Sequence, residues 1–296
     1  MFIIFSPYSF LFLSTYLMFM FSLLSISSFY YYWSVMELMM LLFMGLSYTL
    51  FVSSYSQLMI YFLIQALSSF LILVFYIYDY SSLLTVSFLM KLSMFPFFMW
   101  YINLIYRFPN FMFWLASTLH KVPAMLMINI FSLHLDMSSL WLSIALTTFI
   151  SGLMMLSVLD FRMVLVLSSI GNNSWFLLSQ MTNMFTFWLF ISIYSLSLFF
   201  ILSEFKGLSK PLTSISFQSS SYSLSFWVLS LSGMPPFPLF YGKMLIILSL
   251  ISTLGFNYMF LVFLVFNSLM VMGYIQSMMK HFIYVYNSNI HYLLKY

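Results

Sequence analysis

Apolar runs of about twenty residues follow one another along the whole of this 296-residue chain, and a backbone so apolar has few ways to fold. Twenty residues of α-helix extend about 30 Å, which matches the hydrocarbon thickness of a bilayer. No water is present there to satisfy N–H and C=O groups, so each run must close its own hydrogen bonds as a helix. Only 5% of the residues are charged and 64% are hydrophobic, against about 25% charged in a soluble domain. That leaves too little polar surface to clothe a water-soluble globule. The chain reads as an all-α, polytopic membrane protein without a hydrophilic domain. Its first apolar run is one span among many and does not read as a cleaved signal peptide.

The runs and their polar breaks predict about ten transmembrane helices, over residues 4–25, 28–50, 57–78, 81–103, 110–131, 139–159, 162–181, 183–203, 222–253 and 255–279. The longest polar connection, Glu204 to Ser221, carries Lys206, Gly207, Lys210 and Pro211 and reads as a solvated loop. Ten spans put Arg107, Arg162, Lys206, Lys210, Lys280 and Lys295 on one side with both termini. The other side receives Asp79, His134 and Asp136 and no lysine or arginine. The positive-inside rule predicts such a split and assigns the basic side to the matrix or cytoplasm.

Four charged residues fall inside the runs: Glu37, Lys91, Lys121 and Lys243. Glu37, Lys91 and Lys121 each lie about ten residues into a span, roughly 15 Å deep. A charge at that depth costs about 3 kcal/mol or more, so it is seldom retained without a partner and a use. Two runs also contain proline close to a lysine. Lys91 precedes Pro96, and Pro235-Pro236 precedes Lys243. These runs are the fourth members of helices one to five and six to ten. Five is odd, so repeating a five-helix unit once inverts it. Interrupted helices at matching positions of inverted repeats mark ion sites in transporters. The expected organisation is an antiporter-like domain over 1–279, with repeat one at about 1–135, repeat two at about 136–279, and a short polar tail at 280–296.

Other classes are disfavoured. The net charge of +4 is scattered, so it gives no nucleic-acid surface. Cysteine is absent, which excludes disulfides, thiolate metal sites and cysteine-held iron–sulfur clusters in this chain. His120, His134, His281 and His291 show no metal-ligand spacing. Heavy use of Phe, Tyr, Met, Ser, Leu and Ile with little Ala, Gly, Pro or Arg points to an AT-rich organellar gene.

Several stretches, in this order, carry a resemblance: Trp33-Ser-Val-Met-Glu37, Tyr61-Phe-Leu-Ile-Gln-Ala66, Lys91-Leu-Ser-Met-Phe-Pro-Phe-Phe-Met-Trp100, His120-Lys-Val-Pro-Ala124, Ser168-Ser-Ile170 with Trp175, and Leu231-Ser-Gly-Met-Pro-Pro-Phe237 leading to Lys243. From about residue 28 to 255 the chain resembles the family of mitochondrial NADH dehydrogenase (ubiquinone) subunit two, an antiporter-like membrane subunit of respiratory complex I. The resemblance implies two inverted five-helix repeats with discontinuous fourth helices. It implies a proton path through Glu37, Lys91, Lys121 and Lys243; His120, beside Lys121, reads equally as a relay or as a packed core histidine. It also implies a multi-pass place in the mitochondrial inner membrane with both termini in the matrix. The partners implied are other complex I membrane subunits, especially the antiporter-like subunit four and subunit 4L, together with lipids and without nucleic acid. NAD, FMN, iron–sulfur clusters and ubiquinone are expected in partner subunits, and no cofactor or metal in this chain. Two departures stand out. Family members often carry a histidine shortly after Ser-Ser-Ile, where this chain has Gly171-Asn-Asn173, so Asn172 or water would take that place. Longer homologues add a C-terminal helix, whereas the tail after Lys280 reads as too short and polar to span.

The expected chemistry is that of desolvated charges. A lysine in low dielectric gives up its proton more readily, and an adjacent carboxylate reverses the effect. Moving Glu37 relative to Lys91 would then load or release a proton there, to pass to Lys121 and Lys243. Plainer roles stand beside these: Glu37 as an inter-helix anchor, Lys121 snorkelling to an interface, and His120 as a packed core histidine. Asp79 and Asp136 read as solvated loop ends. At the level of the whole chain, the alternatives are a stand-alone sodium/proton antiporter and a non-conducting spacer of complex I. A chemoreceptor would instead have seven spans and no paired broken helices.

Overall fold

The computed structural model describes residues 7–25, 28–50, 55–131, 134–158, 160–204, 221–254 and 258–293. The Glu204–Ser221 loop with Lys206 and Lys210, the breaks at Ser53 and Gly255, the first residues of the first expected span, and Lys295 lie outside the described residues in whole or part. The described residues are helical, with no strand among them. The chain divides into two compact units, Met1–Ile144 and Ala145–Tyr296.

The first unit begins with α1 (Pro7–Leu23), α2 (Phe29–Leu50) and α3 (Tyr55–Tyr78). The buried face of α3 runs Leu58, Tyr61, Gln65, Ser68, Ile72 and Phe75, and that of α2 includes Tyr32, Met36, Met39, Phe43 and Leu46. Spacings of three and four residues put each set on one side of a helix. Asp79 ends α3 in a left-handed conformation (φ 57°), with its N–H on the Phe75 carbonyl, a helix stop that aspartate tolerates better than most residues. Next come α4 (Ser81–Lys91), α5 (Met99–Ile105), α6 (Asn110–Ser117), a single 3₁₀ turn (Leu119–Lys121) and α7 (Val122–Ile130). Ser81 Oγ donates to Asp136 at 2.8 Å. Asp136 thus ties the start of α4 to the entry of α8 (Met137–Ser157) and is more than the solvated loop end expected for it.

The second unit contains most of α8, then α9 (Phe161–Thr182), α10 (Met184–Glu204), α11 (Ser221–Ser232), α12 (Pro238–Leu254) and α13 (Tyr258–Leu293). Close approach here depends on small residues. A Cβ on Gly152 would lie 2.9 Å from Leu269 Cβ, and one on Gly273 would lie 2.7 Å from Met155 Cβ, so α8 and α13 meet through two glycines. α9 is buried almost along its entire length.

Six helical stretches are long and apolar enough to cross a membrane, and shorter apolar helices accompany them. Large apolar side chains such as Phe21, Leu63, Phe70 and Phe185 are exposed on the outer faces. A water-soluble monomer rarely presents so much contiguous apolar surface, whereas lipid covers it at no cost. Together these features make the chain a multi-pass membrane protein. Many of its serines bond locally: Ser47, Ser68, Ser87, Ser168, Ser169 and Ser197 each donate to the carbonyl three residues earlier.

Two boundaries differ from the sequence reading. The span expected as continuous over 110–131 is interrupted at Thr118–Lys121. Pro123 cannot donate to the Leu119 carbonyl, and its ring crowds the preceding turn. The last helix, expected to end at 279, continues to Leu293. No proline or glycine follows Gly273 to stop it.

Candidate functional site

In the first unit α4 stops where Lys91 stands. The chain turns through Ser93 in a left-handed conformation (φ 54°) and restarts as α5 beyond Pro96. Lys91 is therefore the last residue of its helix, beside carbonyls that no longer have intrahelical donors, a position that favours a cation. Lys91 Nζ donates to Glu37 Oε1 at 3.2 Å, across from α4 to α2. The lysine head is buried, while the carboxylate keeps 19% of its side-chain surface open. The two residues expected to share a depth thus form an ion pair.

His120 and Lys121 lie on the 3₁₀ turn that separates α6 from α7. Both imidazole nitrogens face hydroxyls: Nδ1 lies 3.3 Å from Tyr16 Oη and Nε2 lies 2.5 Å from Tyr61 Oη. Phe43 stacks on the ring at 4.3 Å between centroids. A neutral imidazole has one donor and one acceptor, and each hydroxyl can take either role. Tyr16, His120 and Tyr61 therefore form a hydrogen-bonded chain from α1 to α3. The Tyr32 hydroxyl donates to the Pro123 carbonyl at 2.9 Å, which clips the interrupted span to α2. Lys121 is buried and its Nζ sits 4.6 Å from the centre of the Tyr101 ring on α5, within cation–π range. At 5% exposure it does not snorkel to a surface of the unit.

Lys243 occupies the second unit, on α12. Its Nζ donates to the carbonyl of Ser232, the last residue of α11, at 3.4 Å, and lies 5.3 Å from the centre of a Trp175 ring. Trp175 in turn donates its indole N–H to Asn267 Oδ1 at 3.0 Å, which fixes the ring between α9 and α13. Asn172 stands one turn before Trp175, buried, with neither amide atom hydrogen-bonded. Gly233 follows α11 at φ +74°, and a Cβ there would lie 3.0 Å from Lys243 Nζ. Gly233→Ala therefore meets two obstacles, a left-handed backbone costing about 1–2 kcal/mol in any L side chain and a displaced ammonium. The expected result is a lower thermal midpoint of the purified protein.

Each broken helix thus brings a lysine head to the carbonyl end of its first half. Within the first unit Glu37 and Lys91 are joined, and His120 and Lys121 share one turn. Sequence reasoning gave no role to Tyr16, Tyr61, Gln65 or Asn267. For two of these a signal was present: Tyr61 and Gln65 are four residues apart on one helix face, inside a stretch already singled out for its resemblance.

No protein-family model matches the chain. It is similar to proteins named NADH-ubiquinone oxidoreductase chain 2. That of Aedes aegypti is 28% identical over 182 residues, which cover 59% of this chain and 51% of the relative. That of Albinaria caerulea is 26% identical over 227 residues, or 73% of this chain and 69% of the relative. The chain thus spans about half the length of the first and just over two thirds of the second. Its fold matches a chain of the respiratory complex I from Thermus thermophilus with bound aureothin, with a TM-score of 0.63 at 18% identity, covering 93% of this chain and 78% of that one. It also matches a chain of the Mrp complex from Dietzia sp., with a TM-score of 0.69 at 17% identity, covering 83% and 55%.

Proposed function

We propose that this chain, similar to NADH-ubiquinone oxidoreductase chain 2, is a proton-translocating core membrane subunit of respiratory complex I. The observation that carries the reading is the Lys91–Glu37 ion pair at the end of an interrupted helix. A purely apolar anchor would avoid the several kcal/mol that each buried ion costs, and a carboxylate facing a lysine is a means of changing that lysine's proton affinity. In this reading Glu37 moves relative to Lys91, the proton held at Lys91 is released, and it passes toward Lys121 with His120 beside it. Lys243 serves the second unit in the same way. Inverted five-helix repeats, in which α4–α5 and α11–α12 are the discontinuous members, would give the path its symmetry. The membrane is the mitochondrial inner membrane, with both termini in the matrix.

Each charge carried across works against about 2.3 kcal/mol per 100 mV. In this proposal, NAD, FMN, iron–sulfur clusters and ubiquinone are handled by partner subunits, and this chain converts their energy into proton movement. Other complex I membrane subunits, especially the neighbouring antiporter-like subunit four and, separately, subunit 4L, would cover its lateral faces. The likeness to a chain of an Mrp complex supports one other reading, a sodium/proton antiporter acting without electron transfer. Purification from the native membrane distinguishes the two. A complex I subunit brings NADH-oxidising activity and iron–sulfur spectra with it in fixed proportion. Recovery of the chain alone, exchanging sodium for protons in liposomes, overturns the reading.

A further inference from the structure

Lys243 is buried, and among the described residues no carboxylate pairs with it. The described carboxylates of the second unit stand at helix ends. Asp160 precedes α9, about 22 Å of helix before Trp175, and Glu204 closes α10. What faces the ammonium is the Ser232 carbonyl at 3.4 Å and the Trp175 ring, whose centre is 5.3 Å away. A buried cation left without compensation is costly, and indole is the strongest aromatic attractor of one. A ring attracts a cation by its face and repels it by its edge, so its attitude decides the sign. That attitude is held from α13, which carries Phe263 and Asn267 one turn apart. Asn267 Oδ1 accepts the indole N–H at 3.0 Å, and Phe263 meets the ring in an edge arrangement at 4.9 Å between centroids.

From this arrangement we infer that Trp175 takes the place of a carboxylate opposite Lys243, and that Asn267 is the positioning residue that keeps its face turned to the ammonium. Resting on the proton-translocating reading above, this gives the lysine of the second unit a partner of different chemistry from that of the first. When Lys91 gives up a proton, Glu37 remains as an anion without its cation, so release there calls for the carboxylate to move or to find other compensation. An indole carries no net charge. Whichever form Lys243 takes, no stranded ion is left on the ring, and the lysine can load and release a proton against a fixed wall. Asn267 acts only through the ring: it holds the indole N–H and with it the direction of the face.

The test uses the assembled complex from its native membrane. A map of it should place Lys243 Nζ within about 6 Å of the Trp175 ring centre, with the indole N–H on Asn267. A Lys243 head paired instead with a carboxylate of any subunit overturns the assignment without a variant. Proton pumping is then measured as acidification in sealed vesicles at matched complex content. Asn267→Leu keeps the volume, frees the ring, and should lower the rate about fivefold; Trp175→Leu removes the face and should lower it about tenfold. Asn267→Asp keeps an acceptor oxygen at the same reach and should pump near the wild-type rate, a rescue that side-chain size does not predict because all three residues are of similar volume. Trp175→Phe keeps a face but has no N–H for Asn267 to hold. Adding Asn267→Leu to Trp175→Phe should therefore cost nothing further, whereas two independent packing losses would multiply. Wild-type pumping by Asn267→Leu, an equal loss in Asn267→Asp, or a multiplied loss in the double variant each overturns the role of Asn267. Lys243→Met runs in parallel. If it stops pumping while Asn267→Leu pumps at the wild-type rate, the Trp175–Asn267 assignment is wrong and the Lys243 path stands. If Lys243→Met pumps normally, the proton-translocating reading fails at Lys243 and the assignment falls with it.

Discussion

Replacing Glu37 and Lys91 together should harm the protein's stability less than replacing either alone, while all three variants lose proton pumping. Glu37→Gln leaves a buried ammonium without its carboxylate, and Lys91→Met leaves a carboxylate without its cation. Breaking a buried pair from one side costs about 3–5 kcal/mol, because the remaining charge is stranded, whereas replacing both members by neutral groups of similar volume is often close to neutral. The carboxylate retains some exposed surface, so the Lys91→Met variant should lie toward the lower end of that range. The readouts are the amount of assembled complex on native gels and acidification per electron in sealed vesicles. Near-normal assembly of the double variant with no pumping assigns the pair to function. Additive losses in assembly, with pumping retained in proportion to content, would reduce the pair to an anchor between α2 and α4.

The helices and the charges were legible from opposite ends of the physics. Long apolar runs must form helices in lipid, so the positions of α2, α3, α8, α9 and α10 follow from composition and the need to close backbone hydrogen bonds. Glu37 and Lys91 were legible as a pair because equal depth and opposite charge leave each the cheapest partner for the other. The interruption at Thr118–Lys121 was less so, although Pro123 carried the signal. Proline is welcome in the first turn of a helix and disruptive further in, and the apolar run gives no reason to start a new helix at Val122. The contacts of His120 were hidden for a different cause. Tyr16 and Tyr61 lie 104 and 59 residues away along the chain, and nothing local specifies which tyrosines of a tyrosine-rich chain will turn inward. The same applies to Asn267, whose place under Trp175 depends on how α9 packs against α13.

Lys121→Met should abolish most of the proton pumping while the complex still assembles. Lys121 is buried on the turn between α6 and α7, over the Tyr101 ring, with His120 as its neighbour in sequence. Methionine has a similar length and a softer, apolar head, so it can occupy the same space against Tyr101 and spare the protein a buried charge. It cannot take up or release a proton. Lys121→Arg separates charge from titration: guanidinium remains charged at any pH the protein meets, so a cation is retained while its proton becomes unavailable. Both variants should therefore lose pumping, Lys121→Met with normal or raised thermal stability and Lys121→Arg with reduced stability from its larger head. Acidification per electron in vesicles of matched complex content measures the first effect, and thermal inactivation of NADH oxidation measures the second. A relay residue predicts that the two substitutions agree in pumping and differ in stability. If Lys121→Arg pumps at the wild-type ratio, a fixed positive charge is enough at this turn, and the proton passes Lys121 by without binding to it.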